Sequence, residues 1–412
     1  MTNEEYYFCG VKIIVLTSRF PYPLEKGDKL RIYYQIRELH RAGHTISLVA
    51  LTEEPVKDAD YQAVKAFCEQ IYIFPISRFS IFLHTARNIL RGVKLPFQVS
   101  YFYDLSVQKA INTLIETDKP DHIHCHLARM SPYVQDVALP KTLDFMDAFG
   151  AGTRRRAQIS SFLLRPFWQF EARLMLNYEQ LIAAKFDFST IISEQDKARL
   201  MLTAESKEVH VIPNGVDVDF FDGAHFQNKI EKRYDICFVG NLGYYSNVEA
   251  VRFLVKKILP AVIAQKKDVK ILLAGARPTA EIQGFENENI KVVGWLDDIR
   301  VAYAESRILV APLMHGIGQQ NKILEAMAMQ IPVITTSRVN KAIGSTAEKE
   351  ILLADTEGGF AEQILRLLQN ADLQDIVRKN GREFVVKNYS WAHSTHVFTE
   401  LLPDKKRQRQ PN

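Results

Sequence analysis

The feature that most constrains this chain is an alternation of short β-branched runs, each near turn residues, with segments of helix length. Val11 to Thr17 reads VKIIVLT, and a Pro-rich loop leads from it to Lys29–Arg41, where Leu30, Tyr33, Tyr34, Ile36 and Leu39 recur at helical spacing. Gly43 stands where a helix-ending glycine belongs, and Thr45 to Leu51 returns to strand character. Further runs follow at Ile71–Phe74, His122–Cys125, Thr142–Phe145 and Thr190–Ile192. Runs this apolar are buried on both faces, which implies parallel sheets covered by helices.

Pro213-Asn214-Gly215 is a turn signal, and Asp222 to Arg233 is charged and aperiodic, so the interdomain linker is placed near there. A second series then begins: Ile236–Val239, Lys270–Ala274, Ile290–Val293, Ile308–Ala311, Pro332–Thr335 and Ile351–Leu353, with helical segments at Asn247–Gln265 and Asn321–Met329. The expected class is α/β, with two Rossmann-like doubly wound domains. A chain of 412 residues suits two such cores. The boundaries read as 1–206, 207–386 and a terminal segment 387–412.

Hydrophobic residues at 47% and charged residues at 24% are the balance of an ordinary globular protein. Cys9, Cys68, Cys125 and Cys237 lie far apart without CxxC spacing, which suggests neither a zinc site nor a disulfide framework, and fits a reducing cytosol. The first residues carry acids rather than a basic signal, and no stretch of 18 apolar residues occurs. The expected location is cytoplasmic, with any membrane contact peripheral at the inner face.

In doubly wound sheets, ligands bind beyond the carboxyl ends of strands, where loops lead into helix N-termini that favour anions. The best such loop follows Ile308–Ala311. Gly316 and Gly318 let backbone approach a ligand, Lys322 brings a cation in the helix's first turn, and Glu325 lies one turn later. A phosphate beside Lys322 with ribose hydroxyls on Glu325 makes a coherent nucleotide site. The same pattern also fits turn glycines with a surface Lys322–Glu325 pair. The loops Pro23–Lys29 and Gly240–Asn247 follow the first strand of each half, and neither is GxGxxG, which disfavours a dehydrogenase. Gly27 and Asp28 also suit a turn and a helix cap.

His124 and His126 share one face of an extended strand, and no Cys or carboxylate close in sequence completes a metal set. An exposed histidine with a task is the reading preferred over zinc, and a core or hydrogen-bonding histidine fits as well. Asp144 and Asp147 suit capping of a following turn or helix.

Together these residues resemble the GT-B retaining glycosyltransferases of family 4. The match is carried by the Gly27 loop with Gly43-His44, His124-Cys-His126, Val211-Ile-Pro-Asn-Gly-Val-Asp217, Phe238-Val-Gly-Asn241, and the run Lys322-Ile-Leu-Glu-Ala-Met-Ala-Met-Gln-Ile-Pro-Val-Ile334. Pro21 to Arg31, Asp144-Phe-Met-Asp147 and Gln320 to Met327 are similar to sugar transferases of bacterial exopolysaccharide and capsule clusters. The resemblance implies two domains facing across a cleft, with a final helix after Tyr389-Ser-Trp391 crossing back to the first. It implies transfer from a nucleotide sugar, UDP favoured over GDP, to a glycan or lipid-linked acceptor, with retention and without a metal or other cofactor.

By the same resemblance, His126 lies beside the transferred sugar, Glu325 binds the donor ribose, and the Gly27–Asp28 turn approaches the diphosphate. Gly294-Trp295-Leu296 frames the base. Gly240 and Asn241 belong to the donor loop, as do His315, Gly316, Ile317, Gly318, Gln319, Gln320 and Asn321. Two departures stand out. Ile317 replaces an acid that often contacts the sugar, which leaves His315, Gln319 or Gln320 to do so. Asn241 and Tyr244–Asn247 replace basic diphosphate ligands, which leaves Lys322 as the cation. A sugar-nucleotide epimerase and a non-catalytic sugar- or protein-binding relative are the alternatives.

The acids are unevenly spread. None occurs between Glu69 and Asp104, or between Asp147 and Glu171, while Arg78, Arg87, Arg91, Lys94, Arg154, Arg155, Arg156 and Arg165 fall in those stretches. Segments 76–98 and 151–169 are therefore candidates for contact with an anionic inner leaflet. For 79–95, a helix that packs its apolar face on its own core and shows a basic surface is preferred over insertion. The basic residues lack interleaved stacking aromatics on a recognised scaffold, so nucleic acid is not expected.

Overall fold

The computed structural model describes residues 10–76, 95–226, 229–314 and 320–402. These form two compact units, one made of Met1–Pro213 with Ser394–Asn412 and the other of Asn214–His393.

The first unit holds a seven-stranded sheet in the order β3-β2-β1-β4-β5-β6-β7. Its strands are β1 Lys12–Thr17, β2 Thr45–Thr52, β3 Gln70–Pro75, β4 His122–His126, β5 Lys141–Met146, β6 Phe188–Ile191 and β7 Val209–Val211. Every pairing is parallel. Successive residues of β1 enter opposite cores: Ile14 and Leu16 pack with Val49, Ile123 and Phe145, while Ile13 and Val15 pack with Ile46, Leu48 and Ile36. Burial on both faces explains why the strands read as unbroken apolar runs. Helix α1 spans Gly27–Arg41, and α2 (Phe149–Ile159) and α3 (Arg165–Ala183) form a helical hairpin between β5 and β6.

The second unit repeats the plan with six strands in the order β10-β9-β8-β11-β12-β13, all parallel. They are β8 Tyr234–Val239, β9 Ile271–Ala274, β10 Ile290–Val293, β11 Ser306–Ala311, β12 Val333–Thr335 and β13 Leu352–Leu353. The helix expected over Asn247–Gln265 is α4 Tyr245–Phe253, followed by a π-helical turn at Leu254–Ile258 and a last piece at Leu259–Gln265. Pro260 has no N–H to give to the preceding turn, and the wider π turn absorbs that loss. Helix α5 spans Asn321–Ala328 and α6 Ala371–Tyr389.

The polar stretch after Asp222 belongs to the second unit, where Arg382 donates to Asp222 Oδ2 at 2.8 Å and Lys232 donates to the Ser306 carbonyl at 2.6 Å. Helix α7, Trp391–Glu400, starts there, and from Ser394 onward the chain belongs to the first unit, where Phe398 packs with Ile13, Val15 and Phe188. The Pro-Asn-Gly turn has a packing cause. A Cβ on Gly215 would lie 2.6 Å from the Trp391 backbone nitrogen, so only glycine lets Val216 N reach the Tyr389 carbonyl at 2.6 Å. No described helix is long and apolar enough to cross a membrane. Residues 77–94, which hold most of the first basic segment, lie outside the described residues.

Candidate active site

Both sheets reverse their strand order at one place, between β1 and β4 in the first unit and between β8 and β11 in the second. Within each unit, the loops leaving its two switch-point strands flank the kind of crevice in which open α/β sheets take ligands.

In the second unit, Gly240 leaves β8 at φ +153°, and a Cβ there would lie 3.0 Å from Lys322 Nζ. Lys322 reaches back from the first turn of α5 to donate to Asn247 Oδ1 at 2.5 Å, and its ammonium sits 4.7 Å from the centre of the Phe238 ring. Asn247 donates in turn to the Asn241 carbonyl at 2.9 Å. Burial lowers the Lys322 pKa to about 8, an effect that the Glu325 carboxylate opposes. Glu325 accepts a 2.9 Å hydrogen bond from the hydroxyl of Tyr303, which is fully buried in the short helix Arg300–Ala304. Burial raises the Glu325 pKa, against the Tyr303 bond and the Lys322 charge.

The surface-pair reading of Lys322 and Glu325 is thereby corrected. Each is half-buried and bonds a neutral partner, Asn247 or Tyr303, instead of the other. Asn321 opens α5, and Gln320 precedes it without a side-chain capping bond. Trp295 is 73% exposed with its indole N–H on Asp297, and Leu296 packs against the core. His315, Gly316, Ile317, Gly318 and Gln319 lie outside the described residues. Tyr303 and Phe238 escaped the sequence reading, because a tyrosine in a buried helix and a phenylalanine in a strand carry no local mark of contact with a distant lysine.

In the first unit, Gly27 and Asp28 open α1, but neither caps it: Lys26 holds that position without a side-chain bond. Asp28 accepts from Arg19 Nη1 at 2.5 Å; burial alone would raise its pKa, but the Arg19 charge and hydrogen bond, with His126 and Arg129 nearby, together lower it. Of the two readings of the histidines, the exposed one is corrected and the buried, hydrogen-bonded one stands. His122, His124 and His126 are all fully buried. His126 Nε2 lies 3.1 Å from the Asp28 carbonyl and Nδ1 lies 3.5 Å from Asp144 Oδ2.

Asp144 is the centre of this cluster rather than a helix cap. It is fully buried, accepting from Arg31 Nε at 2.6 Å, Gln35 Nε2 at 3.2 Å and the Met146 N–H at 3.0 Å. Burial alone would raise its pKa, but Arg31, also fully buried, and His126 together hold it well below the carboxylate range. The helix after Asp147 starts from Ala148 without a side-chain cap. The carboxylate that the local sequence lacks beside the histidines thus comes from β5: ligand atoms of His124, His126 and Asp144 lie within 4.8 Å of one another. Arg31 already supplies the positive charge there, so a metal would have to displace a buried guanidinium.

Two backbone positions beside the cluster are strained. Leu127, after His126, has φ +73°, and Met146, after Asp144, has φ +60°. Arg129, just beyond, lies 4.9 Å from the centres of the Phe102 and Phe149 rings, and burial with the nearby Arg19 lowers its pKa to about 10. Sequence reasoning missed it. At the carboxyl ends of β1 and β2 opens a polar cavity of about 560 Å³, lined by Ser18, Arg19, Lys26, Lys29, Glu53 and Asp60 among others.

Residues 29–220 match the family described as Glycosyltransferase Family 4, and residues 233–370 match Glycosyl transferases group 1. An uncharacterized 44.6 kDa protein in the cps region of Klebsiella pneumoniae is 24% identical over 95% of this chain and 99% of its own. The capsular polysaccharide biosynthesis glycosyltransferase CapM of Staphylococcus aureus is 25% identical over 52% of this chain and 61% of its own. Among solved structures, sucrose-phosphate synthase from Thermosynechococcus elongatus aligns with TM-score 0.64 at 18% identity, covering 97% of this chain and 98% of its own. Anabaena HepE in complex with UDP-glucose aligns with TM-score 0.60 at 14% identity, covering 95% and 99%. These structural likenesses speak to the fold. Two glycosyltransferase domains in sequence on two switch-point sheets make this chain a member of the group 1 and family 4 glycosyltransferases of GT-B fold, related to enzymes of capsular polysaccharide synthesis.

Proposed function

We propose that this glycosyltransferase moves a hexose from a UDP-sugar to a glycan or lipid-linked acceptor in cell-surface polysaccharide synthesis, on the cytoplasmic side, with retention and without a metal. The observation that carries the reading is the placement of Lys322 and Glu325 on one turn of α5, each held by a neutral side chain at the switch point of the second sheet. Glu325 accepts the ribose hydroxyls, and Lys322 stands against the diphosphate beside the close backbone of Gly240 and Asn241. Trp295 and Leu296 frame the base. In the first unit, His126 is fully buried with Nε2 on the Asp28 carbonyl, so its cluster is read as scaffold and no donor contact is assigned to it or to the Gly27–Asp28 turn. HepE with bound UDP-glucose supports the choice of UDP.

In the reaction, the bond from the anomeric carbon to the diphosphate oxygen breaks as the acceptor oxygen attacks from the same face. The acceptor's proton passes to a diphosphate oxygen, and the charge left on the diphosphate is matched by Lys322. A thermal-shift panel of UDP-, GDP-, ADP- and TDP-sugars tests the donor, since a ligand bound only by the native state stabilises it. Stabilisation by UDP-sugars alone is expected, and selective stabilisation by GDP-sugars rejects the assignment. Transfer that survives EDTA and gives the donor's anomeric configuration, read by NMR, is expected. An inverted product, or activity abolished by EDTA, rejects retention or metal independence respectively.

A further inference from the structure

We propose that the α2–α3 hairpin of the first unit docks on an anionic membrane, its tip entering the bilayer interface and an arginine-lined cavity beside it taking a phosphate headgroup. The tip is apolar and open to solvent: Ile159 is 84%, Phe162 88%, Leu163 86%, Leu164 55% and Phe170 63% exposed. Scattered apolar residues need no explanation, but a contiguous group on one turn marks a contact surface. Arg156 stacks on Trp168 with its guanidinium carbon 3.7 Å from the ring centre, which ties the two helices together at that tip.

Directly behind the tip, a cavity of about 400 Å³ is lined by Arg154, Gln158, Arg165, Gln169, Arg173 and Asn177, among others. Arg165, Gln169 and Arg173 follow at intervals of four along α3, so they form one stripe of donors. Among the described residues, Arg154, Arg155, Arg165 and Arg173 are exposed and make no ion pair. The acids of α3 point elsewhere. Glu171 is 2% exposed and accepts from the Phe97 and Gln98 N–H groups, while Glu179 is fully buried on the Gly150 N–H. An apolar tip, a rim of unpaired arginines and a cavity of donors without a carboxylate complement a surface that offers hydrocarbon and phosphate together. Neutral lipid does not use the arginines, and a soluble phosphate does not use the tip.

The test is vesicle flotation of the full chain without sugar donor, so its outcome is independent of the transfer reading. Phosphatidylcholine vesicles are compared with vesicles that also contain phosphatidylglycerol. The chain is expected to float with the anionic vesicles only. Arg154→Ala with Arg165→Ala is expected to weaken binding about 25-fold, at roughly fivefold per arginine near the surface. Phe162→Asp with Leu163→Asp is expected to abolish it, and both variants keep the wild-type Tm because they alter exposed side chains. Equal recovery with neutral and anionic vesicles overturns the proposal, as does either variant floating like the wild type. Inorganic phosphate binding in the cavity without flotation overturns the membrane source. A dimer that the tip variant converts to monomer, again without flotation, shows that a second copy covers the tip instead.

Discussion

The two sheets share one strand order and present opposite chemistry at the place where it reverses. In the first unit the charged groups at the switch point answer one another: Arg31 and Asp144 are both fully buried and paired, with Gln35 and His126 on the same carboxylate. In the second unit, Lys322 and Glu325 are half-buried, and each is steadied by a neutral side chain that leaves its charge uncancelled. A buried ion pair fixes a structure and has little left to offer a ligand. A charge held in place by an amide or a phenol is ordered in advance and still has its main electrostatic partner to find. The same topology therefore serves as scaffold in one unit and as candidate donor site in the other.

Breaking the first half of this contrast should give the largest effect. Asp144→Ala leaves the Arg31 guanidinium buried without its counter-charge, which costs about 3–5 kcal/mol. Hydrogen exchange should show β4 and β5 amides losing protection while β8 and β11 keep theirs. Equal loss in both sheets would mean that the units unfold together, and no loss would mean that the pair is not structural. In the second unit the expected pattern is reversed. Glu325→Gln and Lys322→Ala should each weaken UDP-sugar binding about 10- to 150-fold, the range of a charge-assisted hydrogen bond of about 1.5–3 kcal/mol. Neither should destabilise the apo protein, because each removes a desolvated charge. Titration calorimetry and a thermal melt separate these outcomes, and unchanged donor affinity in both variants would remove α5 from the site.

The sequence made one side of this contrast much easier to see than the other. Parallel strands buried on both faces leave a one-dimensional trace, so the β-branched runs located the described strands other than β7 to within a residue or two, and with them the loops at the switch points. Lys322 and Glu325 were legible because both lie in one short helix just beyond such a loop. Their holders were not: Asn247 stands 75 residues from Lys322 and Tyr303 stands 22 from Glu325. Arg31 and Asp144 are 113 residues apart, and Asp144 in isolation looks like any turn aspartate. Only the first part of the hairpin 149–183 was visible, as the acid-free stretch between Asp147 and Glu171. Its exposed tip depends on which faces of α2 and α3 the unit buries, and that is a property of the packing.

A smaller effect follows from acidity. Burial sets Lys322 at about 8 in the folded chain against an ordinary 10.5. Between those values the unfolded chain binds more protons, so this group's contribution to stability rises with pH across that window. Donor affinity should run the other way, because a diphosphate prefers the ammonium: Kd is expected to rise as pH passes about 8. Lys322→Ala should flatten this dependence. A wild-type affinity level from pH 7 to 9 would contradict it.

The smallest effect sharpens the comparison from inside the first unit. Glu179 is a carboxyl bonded to a neutral donor, the Gly150 N–H at 3.2 Å, much as Glu325 is bonded to Tyr303. Unlike Glu325 it has no exposure at all, and burial raises its pKa to about 8 against 4.5. Because the folded pKa is the higher one, the stability this group gives is complete below about 4.5 and is lost as pH rises through about 8. Glu179→Gln keeps an oxygen for the Gly150 N–H and has nothing to ionise. Relative to the wild type it should gain stability as pH rises from about 4.5 to 8 and nothing at pH 4, read as a difference in Tm at pH 4 and above pH 8. A gain confined to high pH identifies Glu179 as a structural acid that stays protonated in the fold, which leaves access to solvent, not the neutral partner alone, as what separates Glu325 from it. An equal change at both pH values would mean that the bond to Gly150, and not the proton, is what Glu179 contributes.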